Sequence, residues 1–460
     1  MKKKWLSGIM AGIFLTGVLG GCADQGQDFT GTLPDESSTE ISLDAPSEVP
    51  SAVPVEVSEE KTEEESTLNP DFSPVSGDIK AEGWSELKKS VNLVNWDLYA
   101  AQNDKDNLFY SPFSIVSAMA LSDLAAKGET KAQLESGLHI DDKDAFCQDM
   151  KEYMAGNDAS ETTYFRIANA VWLNKDLELS DSAEADFIKP AEEYFGGSFE
   201  KADFAGDLEG AKADISKWVS DKTDGFIPNY EPGATADTLA DLMNAIYFYG
   251  EWEKKFEADD TSDGTFHGTD GDTTQEMMNL FEGSMAYVEN KDGITALAMP
   301  YADSNLEMDI LMTADEGKKL SEVFDASKAE AVFDELDAAE RKKLGHLQLP
   351  KFTMEKSLNN LPEIFKAMGM EVPFTDNADF SGLAEDMKIS GIQHEAKIEV
   401  DEEGSRAAAV TEVMLGLTSA LDEPEDKIDF IVDRPFIYVI RDREQGIILF
   451  TGRMNNLSGK

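Results

Sequence analysis

The side chains that most often carry out chemistry in proteins show no catalytic arrangement in this sequence. The four histidines, at positions 139, 267, 346 and 394, form no HExxH motif and no pair at metal-ligand spacing, which disfavours a zinc hydrolase. There is also no GxSxG elbow, Walker loop or GxGxxG turn. Residues 259–264 resemble the start of a calcium loop, but Asp270 stands where a closing Glu is required, which favours a solvated turn. We therefore predict that the chain is not an enzyme and uses no metal or cofactor.

The segment that follows Gly404 has a pattern that surface loops usually lack. Its side chains are small, and alternate positions from Ser405 to Leu415 carry no charge, whereas Arg406 and Glu412 share the opposite parity. A period of two is that of a β-strand, and a strand buried on one face sorts its charges in this way. The segment is therefore a candidate to enter a sheet, and a plain surface loop or a short Ala-rich helix is the alternative.

The N-terminus has the features of an export signal. Three lysines precede an apolar run from Trp5 to Val18, and Leu19-Gly-Gly-Cys22 follows. The apolar run is too short for a permanent membrane span. The last four residues match a bacterial lipobox, in which Cys22 receives a diacylglyceryl thioether and becomes the mature N-terminus, and two acyl chains give stable anchoring. An ordinary secretory signal is the alternative. We expect an exported protein that is lipid-anchored at the bacterial cell surface or in the periplasm.

Composition divides the chain into three parts and excludes one class of partner. We assign residues 1–21 to a lipoprotein signal peptide, 22–83 to the lipidated cysteine and a disordered acidic linker, and 84–460 to one folded domain. The chain has 40 Lys+Arg against 92 Asp+Glu, a formal net charge of −52. A surface this acidic repels phosphate backbones, so nucleic acid is disfavoured as a partner. Cys22 and Cys147 are the only cysteines, so no disulfide framework is expected.

The folded part combines early helices with later strands. Leu87, Val91, Val94 and Leu98 recur at helical spacing, and a second helix is predicted after Ser111-Pro112. Strand-like runs follow at 245–249, 308–312 and 346–349, and residues 436–451 read as a hairpin. Because helices and strands do not alternate regularly, the pattern favours an α+β fold.

Several motifs of this part of the chain resemble those of the serpins, a family of serine protease inhibitors. Each motif is modest alone, but together, and in the family's order, they are highly specific, and the resemblance extends from about residue 84 to the C-terminus. The motifs are Asn107–Ser114, Ala125–Thr130, Asn169–Trp172, Trp218–Gly225, Asn244–Trp252, Leu349–Phe352, Ala378–Gly382, Glu399–Ala409 and Asp433–Phe436.

The resemblance implies both a fold and a mechanism. The implied fold is the serpin fold, an α+β arrangement of mixed β-sheets with surrounding helices and an exposed reactive-centre loop. In the implied mechanism a serine protease cuts this loop and forms an acyl-enzyme. The freed loop then inserts into the main sheet as a new strand, and the protease is trapped and distorted. The chain would thus be a serine protease inhibitor that acts as a suicide substrate.

The resemblance also assigns positions within the loop. Counting as the family does places the reactive bond between Thr418 and Ser419, although the loop is longer than in typical members and the neighbouring apolar residues Met414, Leu415, Leu417 and Leu421 remain alternative cut sites. No Lys or Arg lies between Ala407 and Asp426, so the target is expected to be an elastase-like or subtilisin-like protease without trypsin-like specificity. The loop hinge corresponds to Gly404, Ser405, Arg406, Ala407, Ala408 and Ala409.

Other matched positions lie outside the loop. Ser111, Ser114, Asn244 and His394 correspond to the family's shutter, a polar cluster beneath the strands that must part, and Trp252 corresponds to the breach at the top of the sheet. The stretch 141–161 is acidic where heparin-activated members carry a basic helix, so no heparin partner is expected, and we expect a monomer. Two alternatives remain open: a non-inhibitory serpin acting as a binding module, and a solute-binding lipoprotein.

Overall fold

The computed structural model describes residues 11–21, 68–156, 160, 162–223, 225–404 and 427–459. The helices are α1 (Glu86–Ala101), α2 (Pro112–Ala125), α3 (Gly128–Gly137), α4 (Lys143–Ala155), α5 (Lys189–Phe195), α6 (Leu208–Lys222), α7 (Leu320–Val323), α8 (Ala329–Ala338) and α9 (Leu361–Ala367). The strands are β1 (Ala11–Gly21), β2 (Leu108–Tyr110), β3 (Thr163–Asn174), β4 (Ser198–Ala202), β5 (Thr238–Gly250), β6 (Ser262–Gly268), β7 (Gly271–Leu280), β8 (Ser284–Glu289), β9 (Ile294–Pro300), β10 (Leu306–Thr313), β11 (Arg341–Pro350), β12 (Phe352–Leu358), β13 (Met387–Val400), β14 (Ile428–Ile431), β15 (Phe436–Asp442) and β16 (Ile447–Met454).

The strands form two sheets. The first has six strands in the order β12-β13-β1-β5-β3-β4, and the second has ten, with the path β2-β16-β15-β10-β9-β8-β11-β7-β6 and β14 paired to β11. The predicted helices correspond to α1 and α2, and the predicted strands lie within β5, β10, β11 and the β15–β16 hairpin. The expected α+β class with mixed sheets is thereby confirmed. Within the described residues, the helices are all too short or too polar to cross a bilayer.

The six-stranded sheet separates two hydrophobic clusters. Successive side chains of a strand point to opposite faces, and β5 shows this directly. Ile246 and Phe248 belong to the larger cluster, which also contains α1, α2 and much of the second sheet. Ala245 and Tyr247 belong to a smaller cluster beneath α6. Because both faces of β5 are covered, its residues form a nearly continuous apolar run.

The sequence analysis did not predict that β1 is a strand. Residues 11–21 fall in the run assigned to an export signal, yet in the uncut chain they form a strand that pairs antiparallel with β13 on one side and with β5 on the other. The run contains Ile, Phe, Thr and Val and has neither charge nor proline. Such a segment suits a central strand, and two parted strands present unpaired backbone groups to receive it.

The folded domain also begins earlier than residue 84. Residues 68–83 were predicted to belong to the linker because they contain prolines and acidic groups, but they pack along α1. The Asp97 carboxylate accepts hydrogen bonds from the N–H groups of Val75 (2.6 Å) and Ser76 (2.9 Å), and Ile79 is buried. A few anchoring contacts therefore order a segment whose overall composition is that of a tether.

Candidate functional site

The N-terminus of α2 holds a buried polar cluster. Ser111 caps the helix, since its side-chain oxygen accepts a hydrogen bond from the Ser114 N–H at 3.0 Å, and Pro112 occupies the first helical turn. The Ser111 N–H donates to His394 Nε2 at 3.1 Å, which requires a neutral ring with its proton on Nδ1. The Ser114 hydroxyl donates to Asn244 Oδ1. The four side chains predicted for the shutter thus lie within one hydrogen-bonded cluster.

This cluster lies beneath the space between β5 and β13, which we call the slot. Asn244 belongs to β5 and His394 to β13, and Leu15 of β1 is paired in register with both. The two strands are therefore held apart at this level, with each bonded separately to the end of α2. Asn169 on β3 extends the cluster, because its Oδ1 accepts from Asn244 Nδ2 at 2.8 Å and its own amide donates to the Phe195 carbonyl at 2.7 Å.

Gly404 lies at the upper end of the slot. Its N–H donates to the Asp401 carbonyl at 3.2 Å, and its φ of +92° is a conformation that glycine adopts readily and other residues rarely do. A Cβ added there would stand 2.5 Å from the Trp252 backbone nitrogen and 2.6 Å from the Gly250 carbonyl oxygen. The hinge therefore starts from a tight turn that lies directly against the end of β5, and glycine is required there for space as well as for conformation.

Trp252 fixes this turn from the other side. Its indole Nε1 donates to the Asp401 carbonyl at 3.0 Å, and its backbone N–H donates to the Glu403 carbonyl at 3.2 Å. The ring is 1 % exposed and stacks on Tyr301, with centroids 4.8 Å apart. The residue predicted for the breach thus connects the end of β5 to the last described residues before the loop.

Charged groups of the turn are held by specific partners. Burial alone would raise the pKa of Glu402, but hydrogen bonds from Lys351 and Thr261 keep it below its usual range. The Lys351 ammonium lies 2.8 Å from the Glu402 carboxylate. Burial raises the pKa of Asp401 to about 6, and the neighbouring Glu402 adds to this effect. Acidification therefore protonates Asp401 and changes the charge at the upper end of the slot, close to the hinge.

The other face of the slot is covered by α6 and the chain that follows it. The Gly233 N–H donates to Gln393 Oε1 at 2.6 Å, and the Lys397 ammonium lies 4.6 Å from the centre of the Phe226 ring. Both contacts attach this cover to β13. The cover is therefore fixed to one of the two strands that border the slot.

Asp241 is a buried carboxylate on the covered face of β5. It is 0 % exposed, and among the described residues neither of its oxygens has a hydrogen-bond partner. Burial raises its pKa to about 7. In register it lies between Trp172 of β3 and Val18 of β1. The sequence analysis did not single it out, although a lone acidic residue in the apolar run from Thr238 to Gly250 is a signal that could have found it.

Several predicted site residues lie outside the described residues. These are the hinge positions Ser405, Arg406, Ala407, Ala408 and Ala409, the reactive-bond residues Thr418 and Ser419, and the lipidation residue Cys22. Cys147 is buried, and burial raises the pKa of its thiol. Over the ranges that the structure describes, no group of three or more His, Cys, Asp or Glu side chains is arranged to hold a metal ion.

Comparison with known proteins defines the class. The model of the family described as serpin (serine protease inhibitor) matches residues 90–457, so the chain belongs to the serpin family and has the serpin fold. It is similar to a serpin-like protein of Thermococcus kodakarensis, with 33% identity over 388 residues that cover 82% of this chain and 88% of that protein. It is 31% identical to the mouse leukocyte elastase inhibitor A over 385 residues, 80% of this chain and 99% of that protein.

Solved structures agree. The native state of the thermophilic serpin tengpin matches with a TM-score of 0.69 and 26% identity, covering 82% of this chain and 95% of that one. The predicted serpin fold is confirmed, and serine proteases are the targets of the family. The resemblance noted in the sequence thus extends over most of the chain.

The prediction that the chain is not an enzyme is corrected. It rested on missing motifs, which show only that familiar catalytic arrangements are lacking in the sequence. The comparisons identify a family of serine protease inhibitors, and membership in it does not positively exclude catalytic activity. The exclusion therefore went further than the findings allow and is withdrawn.

Proposed function

We propose that this protein inhibits a serine protease of elastase-like or subtilisin-like specificity by a suicide-substrate mechanism. The observation that carries the proposal is the slot: β5 and β13 are parted along their length, and the hinge glycine lies at its upper end against Trp252. Ser405 follows Gly404 directly in the sequence, so the loop begins at the upper end of this slot. The similarity to inhibitors named for leukocyte elastase supports the class of target.

The length of β5 supports the proposed register. β5 has 13 residues, Thr238–Gly250, and the sequence from Ser405 to Leu417 has the same number. A loop that enters at Gly250 and runs antiparallel to β5 reaches Thr238 at Leu417. Thr418 then stands at the lower end of the slot, where the attached protease is carried farthest from its starting point. A strand of this length spans roughly 43 Å.

The chemical steps balance without any external reagent. The hydroxyl of the catalytic serine of the protease attacks the carbonyl carbon of Thr418, and the peptide bond to Ser419 breaks. The proton taken from the hydroxyl passes to the amine of Ser419, which leaves. The product is an ester between the protease and Thr418. Inhibition follows when insertion distorts the protease before water cleaves this ester.

Primary specificity follows from the side chains near the proposed bond. The segment from Met414 to Leu421 contains only small, aliphatic and hydroxyl side chains and no cation. Trypsin-like enzymes require a cation in an acidic primary pocket, whereas small or aliphatic residues suit elastase-like and subtilisin-like enzymes.

In this proposal the protein is exported and anchored. Residues 1–21 direct export, Cys22 carries the lipid, and residues 22–67 connect the anchor to the folded domain. The three N-terminal lysines, the apolar run and the Leu-Gly-Gly-Cys motif support this assignment. The protein acts as a monomer. It acts without a heparin cofactor, since Lys143 and Lys151 of α4 are already paired with Asp123 and Glu193. Metabolic labelling with a radioactive fatty acid, compared with a Cys22→Ala variant, tests the anchor.

The inhibitory mechanism is tested with the chain beginning at residue 23 and a panel of elastase, subtilisin and trypsin. We expect a covalent complex that survives denaturing electrophoresis with elastase or subtilisin and none with trypsin. The peptide released from the C-terminal side should begin at Ser419. A complex with trypsin alone, or cleavage that leaves the protease active and the melting temperature unchanged, would refute the mechanism.

Two matched variants test insertion itself. Ser405→Glu places a charge at one of the alternate loop positions whose side chains are expected to be buried once the loop is inserted. An unpaired charge costs several kcal/mol there. Arg406→Glu places the same charge one residue further along, where the side chain is expected to point to the opposite face of the sheet. The first should convert the inhibitor into a cleaved substrate, and the second should leave complex formation nearly intact. Equal effects would show that the parity assigned to the loop is wrong.

A further inference from the structure

The slot is already occupied in the uncut chain. Residues Gly12–Gly21 of β1 pair in register with β13 from Lys397 to Met387, and Ala11–Gly20 pair with β5 from Phe248 to Thr238. The register shifts once against each neighbour, near Leu19, and is otherwise continuous. The N-terminal segment is therefore an internal strand of the sheet, with a partner along nearly its whole length on both edges.

We propose that residues 11–21 block the slot in the unprocessed protein, so that the chain which retains them is a protease substrate and becomes an inhibitor only after they are removed. This inference rests on the proposed function, because it concerns the same slot and the entry of the loop into it. The partner that the slot fits is an uncharged extended segment, and the chain supplies one itself.

The geometry makes the two occupants mutually exclusive. β1 begins near Phe248 and ends at Thr238, which is the direction that a loop entering from Gly404 would take. Both segments would use the same backbone groups of β5 and β13. Only one strand can occupy this position in the sheet. The loop can therefore insert only along the part of the slot from which β1 has been displaced.

The composition of β1 explains why it competes well. Its sequence, AGIFLTGVLGG, has no charged residue and no proline, so it loses no ladder hydrogen bond and buries no ionised group. A central strand such as β1 forms ladder hydrogen bonds on two edges, whereas an edge strand forms them on one. The loop, by contrast, carries Arg406 and Glu412.

Removal of the blocking strand coincides with the proposed processing site. β1 ends at Gly21, and cleavage before Cys22 would detach the whole strand from the chain. The detached segment loses the advantage of being tethered, whose effective concentration is otherwise in the millimolar range for flexible connections. Export and activation would then be one event, and an inhibitor that has not been exported would remain inactive.

The test uses the full chain with Cys22→Ala, which prevents lipidation, and two proline variants in that background. Leu15→Pro lies in the middle of β1, opposite Asn244 and His394, where proline removes a ladder hydrogen bond. Leu6→Pro lies before the strand and is the matched control. Deletion of residues 1–21 provides a second route to an open slot should the proline variant fold poorly.

Two readouts separate the outcomes. Amide hydrogen exchange at 240–248 and 387–397 reports whether β1 protects its neighbours, and the rate of covalent complex formation reports insertion. For the full chain and Leu6→Pro, we expect slow amide exchange in both ranges and slow formation of the covalent complex. Leu15→Pro and the deletion should exchange faster and form complex about tenfold faster or more, because the fraction of molecules with an open slot sets the apparent rate.

The two proposals fail in different ways. If exchange and complex formation are the same in all four proteins, β1 does not block the slot and the inference is overturned, while inhibition itself stands. If exchange rises on opening the slot but no protein forms a complex, β1 occupies the slot as described and the proposed inhibitory function is wrong.

Discussion

Asp241 should make the protein less stable as the pH rises from acidic to neutral. Its carboxyl is fully buried, has no hydrogen-bond partner within the described part of the chain, and has a pKa that burial raises from 3.8 to about 7. A carboxyl whose pKa is higher in the folded state holds its proton more tightly there than when unfolded. The contribution of Asp241 to stability is therefore greatest below about pH 4 and is lost progressively as the pH rises toward 7, where the folded state must bury the ionised group.

The size of this effect follows from the pKa change. Each unit of pKa difference corresponds to about 1.4 kcal/mol, so a change of roughly 3 units costs about 4 kcal/mol at and above neutral pH. Unfolding entropy of about 2.1 cal/mol/K per residue, over the 376 residues that the structure describes, converts this into a shift of roughly 5 °C in the melting temperature. Other raised carboxyls, such as Glu307 with a pKa of about 8, add their own slopes, so a difference between variants is required.

The assay compares the melting temperature of the wild type with that of Asp241→Asn from pH 4 to pH 8.5. The amide cannot ionise, so the variant should gain relative to the wild type by roughly 5 °C between the two ends of this range. How the amide fits the site changes only the constant offset between the curves. Asp237→Asn, an exposed carboxylate just before the same strand, is the matched control and should run parallel to the wild type.

Parallel curves for the wild type and Asp241→Asn would refute this reasoning. They would mean that the carboxyl is hydrated or paired in solution and that the covered face of β5 is more open than the structure shows. If the melting temperature of the variant instead rose relative to the wild type as the pH fell, the pKa shift would have the opposite sign. Desolvation of Asp241 would then be excluded as its cause.

Three further substitutions test the site. Gly404→Ala should cost about 1–3 kcal/mol, because φ is +92° and the added Cβ meets backbone at 2.5 Å; an unchanged melting temperature would show that the turn is free to move. Ser114→Ala removes the donor to Asn244 and should lower the melting temperature by the equivalent of about 1–3 kcal/mol. An unchanged melting temperature would show that this hydrogen bond does not stabilise the cluster. Lys143→Met leaves the buried carboxylate of Asp123 without its cation and should lower the free energy of unfolding by about 3–5 kcal/mol. A variant as stable as the wild type would exclude this ion pair as a stabilising contact.

Local sequence signals predicted the parts of the site that local chemistry determines. The Ser111-Pro112 pair specifies the start of α2 without any help from the rest of the fold, and the structure places the helix there. The four shutter residues come from three separate elements and could be grouped only through the resemblance to a family. Asn169 lies in a motif that carried this resemblance, yet its bond to Asn244 could be seen only in three dimensions.

What the sequence could not predict depends on contacts that form late. The run 11–21 has the composition of an export signal, and its suitability as a strand matters only once β5 and β13 stand apart. Residues 68–83 have a linker's composition, and the carboxylate of Asp97, which is distant in sequence, is what orders them. Neither arrangement could be read from composition, because composition reports how a segment behaves in water and does not show which contacts the rest of the fold offers to it.

The dual character of the N-terminal run has a simple physical basis. Entry into a membrane and entry into the middle of a sheet both exclude charged groups, since each removes the segment from water. A run with the composition of an export signal is therefore already suited to the slot, and no additional sequence feature is needed for it to block the slot. The loop has a different composition, since it carries Arg406 and Glu412. In the proposed mechanism the loop fills the slot because it alone stays attached after processing, so the order of cleavage events, and not relative affinity, would decide which segment completes the sheet.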